Sequence, residues 1–207
     1  MQSKFLAALF AIITSGCMMW DAGYTENGPV FRYDVGEMEQ VPITYGVSLY
    51  LDTPDLIAAP SEQSLSKKIE EALKKTGMFS SVGYGTSVGD DSYHVDFSFR
   101  QTMMDADARM GAVLGAAYSL TLIPVYEICM FDSTAILSIK GKPIYSTAKA
   151  EEMRCLIWLP TLPVGLVMNS WMAMHYVEDG MLNAMVNDIV KEHCRRYFPC
   201  AKPVILQ

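Results

Sequence analysis

The chain is short of the residues from which most active sites are built. It holds three histidines and five cysteines in 207 residues. No two cysteines stand as C-x-x-C, so the paired ligand spacing of a structural zinc site is missing, and His193 directly adjoins Cys194. No metal or cofactor is therefore expected. Positive charge is also scarce, with 16 Lys and Arg against 23 Asp and Glu. A nucleic-acid surface needs basic residues gathered on one face, and anionic head groups attract basic segments. This balance argues against both partners. Low-complexity tracts and internal repeats are absent, and 51% of residues are hydrophobic, which excludes a mainly disordered chain.

Catalytic patterns are present only in fragments. Gly85-Thr86-Ser87-Val88-Gly89 matches G-x-S-x-G, but a nucleophile elbow needs a strand before it and a helix after it. Asp90, Asp91 and Ser92 follow instead, and then a strand pattern. Gly83 and Gly85 open a dinucleotide fingerprint that fails at Val88, where the third glycine belongs. Asp105 and Asp107 are paired carboxylates in a short polar stretch that reads as a solvated turn. His94 falls on the polar side of its strand and reads as solvent-exposed. No reaction is assigned, and the chain reads as a non-enzyme.

What the chain does have is a distinctive beginning. Met1 to Lys4 carries one positive charge, and Phe5 to Ile13 is an uncharged run of nine residues. That run is too short to cross a hydrocarbon core as a helix. Thr14-Ser15-Gly16-Cys17 follows, with no A-x-A-like cleavage site. This leader resembles that of bacterial lipoprotein precursors, whose lipobox ends in a cysteine. Thr14 stands where that pattern prefers Leu. The resemblance covers the first eighteen residues. It implies removal of residues 1–16 and acylation of Cys17, and two or more acyl chains hold a protein on a membrane stably. Met18 in place of an Asp implies the outer membrane, with the domain facing the periplasm. Without the leader's Lys4 the mature chain carries 15 basic and 23 acidic residues, a formal charge of −8. Trp20, just past the acylated position, suits the head-group level.

Residues 17–39 read as a tether broken by Gly23, Gly28, Pro29 and Gly36. From Val41 to Leu51 apolar and polar residues alternate, the period of a half-buried strand. Ser61 opens a helix whose stripe is Leu65, Ile69, Ala72 and Leu73, closed by Gly77. Met78, Phe79 and Val82 read as packing residues of the return. Tyr93, Val95, Phe97 and Phe99 mark a second strand. Residues 125–139 and 144–159 read as a long hairpin around Gly141-Lys142-Pro143, and 179–197 as the last helix. The expected fold is α+β: one domain over 40–207, with a mostly antiparallel sheet of four or five strands and two helices on one face.

A turn centred on Lys142 places Cys129 opposite Cys155 and Pro124 opposite Pro160. In an oxidising compartment, opposed cysteines form a disulfide. Cys194 and Cys200, six residues apart around Pro199, make a second pair. Four cysteines allow three connectivities, with 129–155 and 194–200 favoured over free buried thiols. The apolar stretches 111–130 and 155–174 read first as core, then as a lobe touching a bilayer or partner. Transmembrane helices are a weaker third reading, because Glu127, Pro124, Pro160 and Pro163 interrupt them. The function expected is that of a structural or assembly component of the envelope, working through an envelope protein partner. The alternative is a binding module for a lipid or other apolar ligand.

Overall fold

Alternation along the strands decides how the chain layers. In β3 (Val41–Leu51) Ile43 and Tyr45 are buried while Pro42, Ser48 and Tyr50 are exposed. In β5 (Tyr93–Met103) the odd residues Tyr93, Val95, Phe97 and Phe99 are all buried. A strand with one apolar side must be covered on that side, and two helices supply the cover. The computed structural model describes residues 17–21, 29–33, 40–51, 61–85, 93–103, 125–157, 170–197 and 203–204.

The first helix, α1 (Glu62–Lys75), forms where its end signals and its stripe agree. The Ser61 side chain accepts from the Ser64 backbone N–H at 3.1 Å, satisfying one orphan donor. Glu62 sits in the first turn and Lys74 and Lys75 in the last, matching the helix dipole. Thr76 closes the helix through its hydroxyl, which donates to the Leu73 carbonyl at 2.6 Å. Gly77 then turns the chain at φ +70°. The buried face is Leu65, Ile69, Ala72 and Leu73, as the spacing indicates.

The remaining elements are β1 (Cys17–Asp21), β2 (Arg32–Tyr33), β4 (Phe79–Tyr84), β6 (Val125–Ile139), β7 (Lys142–Ile157), α2 (Ser170–Tyr197) and β8 (Pro203–Val204). The main sheet has the order β1-β7-β6-β5-β3-β4, and β2 pairs separately with β8. β3 runs parallel to β4 and β5, and the other neighbours are antiparallel. The mostly antiparallel α+β fold expected from the sequence is the fold the chain adopts, with five strands extended by the short edge strand β1. Leu65, Ile69 and Leu73 of α1 and Leu182, Met185, Val186 and Ile189 of α2 meet Ile43, Tyr45, Val95, Phe97, Ala135 and Leu137 in one core.

Four expectations are corrected. Residues 78–84 are more than a packed return, because Phe79–Tyr84 is a parallel edge strand beside β3. The last helix begins at Ser170 and not at Asp179. Asp179-Gly180 looks like a helix boundary in sequence, yet Gly180 lies buried inside the helix. The stretch 17–39 is not a free tether. β1 is paired along its length with β7, and Asn187 of α2 holds residues 29–31 by accepting from the Phe31 N–H (3.0 Å) and donating to the Pro29 carbonyl (3.1 Å). Finally, the hairpin turn is Lys140-Gly141, with φ of 54° and 70°, and Lys142 and Pro143 already belong to β7. Positive φ at both central residues defines a two-residue type I′ turn, whose twist suits the strands.

Candidate functional site

The residues singled out by the leader lie at the sheet edge. Cys17 opens β1 opposite Ile157, and Trp20 stands opposite Arg154. One strand further on, Ile157 opposes Val125, the first residue of β6. Cys17 is thus locked into the register of three strands.

The tighter turn changes the cysteines. Cys129 opposes Met153, and Cys155 opposes Glu127. The pair is diagonal across the ladder, not opposed, because the turn lies earlier than Lys142 and a bulge falls between Leu137 and Ser138. Diagonal neighbours stand ~7–8 Å apart, whereas a disulfide needs Cβ atoms ~3.8 Å apart. The directly opposed register from which a 129–155 bridge was expected is not the one the strands adopt. Cys194 is buried in the core and disulfide-bonded, and its partner lies beyond the described side chains. Cys200, Asp105, Asp107 and Ser87 lie outside the described residues. β4 ends at Tyr84, and the next described element is β5 from Tyr93.

The side of the sheet away from the two helices carries an ordered polar chain that the sequence reading missed. Thr44 and His94 are opposite each other on β3 and β5. The Thr44 hydroxyl lies 2.9 Å from His94 Nδ1, and His94 Nε2 lies 3.0 Å from Asp96 Oδ1. His94 is buried, not exposed as expected. The available clue was Gly46, since a glycine inside a strand marks a close approach. A Cβ there would meet Asp96 Oδ1 at 2.7 Å. The order hydroxyl, imidazole, carboxylate is that of a nucleophile relay, but two features oppose catalysis. The Thr44 hydroxyl donates to the Tyr93 carbonyl at 3.3 Å, so its proton has an acceptor other than His94. β3 is paired on both sides here, so its amides serve the ladders and leave no oxyanion donors. The chain is a satisfied cross-strand clamp. Around it this face bears exposed Ser48, Asp96, Arg100, Asp132 and Thr134, with Tyr50 57% and Ile136 39% exposed.

On the covered side, His193 is enclosed by the rings of Tyr93 (5.0 Å, 81°) and Phe79 (6.2 Å, 49°). Burial lowers its pKa below 6.5. Its neighbour Glu192 accepts from Arg195 Nε and Nη2 (2.8 and 2.9 Å) and from Arg196 Nε (2.5 Å). These two guanidinium groups pull its pKa down from 4.5 to about 2. A recess of about 20 Å³ lies between Leu49, Leu65, Phe99, Phe131, Gln101 and Met181. That volume holds about one water, and both polar atoms of the Gln101 amide are buried there without a partner. Among the described residues no group of His, Cys, Asp and Glu is placed to hold a metal. No described helix is long and apolar enough to cross a membrane. Residues 125–130 and 155–157, the inner ends of the two apolar stretches, are strand.

No family model and no curated protein matches this chain. Solved structures do resemble it in outline. A homolog of neuraminyllactose-binding hemagglutinin from Helicobacter pylori covers 84% of this chain and 94% of its own, at 9% identity and a TM-score of 0.43. A minor lipoprotein from Acinetobacter baumannii covers 80% and 100%, at 12% identity and TM-score 0.36. The rare lipoprotein B of Shewanella oneidensis covers 72% and 98%, at 12% identity and TM-score 0.33.

Proposed function

We propose that this chain is a lipid-anchored envelope protein of the outer membrane, facing the periplasm, which acts through binding surfaces and not through a reaction. The observation that carries the reading is Cys17, preceded by an uncharged nine-residue run and by Thr14-Ser15-Gly16. Acylation there would supply the membrane attachment, so no other segment need span the bilayer. Cys194 and Cys200 are proposed as the disulfide pair, being six apart around the end of α2. The protein partner is proposed to meet the face of the sheet away from the helices, where Tyr50 and Ile136 stand exposed among polar and charged side chains. Large amphipathic rings are favoured contact residues at interfaces. The apolar-ligand alternative gains no support from the recess, whose volume of about 20 Å³ has room for about one water.

Full-length protein produced in a Gram-negative host with an alkyne fatty acid should become labelled and should sediment with outer membranes. Cys17→Ser should abolish both. An unlabelled wild-type protein, or one cleaved elsewhere than before Cys17, overturns the anchor. Tyr50→Ala with Ile136→Ala should keep the label and weaken a crosslinked complex that wild type forms.

A further inference from the structure

If Cys17 is acylated, its backbone cannot stand far from the head groups, and β1 then carries that restraint into the sheet. Cys17 opposes Ile157, which opposes Val125. Neighbouring strands lie ~4.8 Å apart, so the start of β6 sits within ~10 Å of the anchor. β5 arrives at the same end, because Met103 pairs with Cys129. The opposite end of the sheet is the Lys140-Gly141 turn, ~45 Å away along β6.

Helix α2 is oriented by two ties. Asp188 accepts from Thr147 and pairs with Lys149, both at 2.9 Å. Arg196 donates to the Ile144 carbonyl at 2.7 Å. The helix therefore runs toward the turn, and its beginning points to the Cys17 end. From Asp188 back to Trp171 is ~26 Å of helix, and from Lys149 to Ile157 is ~26 Å of strand. Trp171 is level with Ile157.

Two of the chain's three tryptophans stand on elements placed at this end. Trp20 lies on β1, Trp158 follows Ile157 in sequence, and Trp171 is the second residue of α2. Tryptophan is the residue most suited to the boundary between head groups and acyl chains. In sequence, no Asp, Glu, Lys or Arg occurs at positions 110–126, which lead into β6, or at positions 158–177, which lead from β7 into α2. We infer that the Cys17 end of the sheet rests on the lipid bilayer, with its tryptophans at head-group depth and the Lys140-Gly141 turn directed away. The inference rests on acylation of Cys17 and adds an orientation to it. An acidic protein gains nothing from anionic lipid, so the contact is apolar and insensitive to salt.

The test uses the purified mature lipoprotein in vesicles of phosphatidylethanolamine and phosphatidylglycerol, with acyl chains brominated near the glycerol. Native tryptophan emission should fall by half or more relative to unbrominated vesicles, equally at low salt and at 0.5 M salt. The added emission of an Ile136→Trp variant, near the far turn, should be unquenched. Flotation with the vesicles is read in parallel. Protein that floats with unquenched native tryptophans overturns the orientation alone, as does equal quenching of the emission that the Ile136→Trp substitution adds. Protein that does not float overturns the anchor and the orientation with it.

Discussion

His193 is a base held where a cation is disfavoured. Its folded pKa is lowered by burial, so the unfolded chain takes up the proton first. Stability is then full above about pH 6.5 and falls as pH drops through the folded value, by at most about 1.4 kcal/mol per pH unit for one proton. Urea midpoints at pH 7.5, 6.5 and 5.5 should show this loss in wild type, and His193→Phe should flatten it. Glu192 acts in the other window. Its depressed pKa contributes stability above the usual carboxylate range, lost as pH falls from 4.5 toward about 2. On the face away from the helices, Gly46→Ala should push Asp96 off His94, seen as altered His94 ring chemical shifts by NMR with the fold kept. His193 continues the helical spacing of Val186 and Val190, a signal the sequence reading did not use. The burial of His94 was not legible in the sequence, because strand alternation assigns a face and does not say whether neighbours cover it.

The ends of elements carry their own predictions. Ser61→Ala should cost about 1 kcal/mol by freeing the Ser64 amide. Gly77→Ala should cost about 1 kcal/mol or more, as φ is +70° and the new Cβ would meet the Tyr33 carbonyl at 3.4 Å. Lys140→Asn should stabilise by about 0.5–1 kcal/mol, because Asn accepts the left-handed φ of 54° more readily than Lys. Thermal melts of the three variants would rank them, and a destabilised Lys140→Asn would contradict the turn. α1 was fully legible because stripe, cap and charges agreed. The β6–β7 hairpin was legible as a pair of strands but not in register. Pro143 looks like a turn residue, yet it sits as the second residue of β7, and a shift of the turn moved every cysteine of the hairpin.

For the molecule as a whole, both helices share one core with the sheet, so truncation on either should weaken everything together. Ile69→Ala and Met185→Ala, both fully buried, should each cost about 2–5 kcal/mol with a single unfolding transition by two probes. Fold class was legible because alternation and helical stripes are long and regular over 41–103 and 125–157. β1 was hidden: Cys17-Met18-Met19-Trp20-Asp21 is too short to show a period, and its strand identity comes from the edge of β7 that it covers. That pairing also sets an order in time. β1 is the earliest strand among the described residues, but its partner ends at Ile157, so it cannot dock until nearly all of the described sheet is available. Contacts so distant in sequence are slow to close. If Cys17 is acylated, as proposed, it would therefore stay reachable while the chain emerges and become fixed only when β7 arrives.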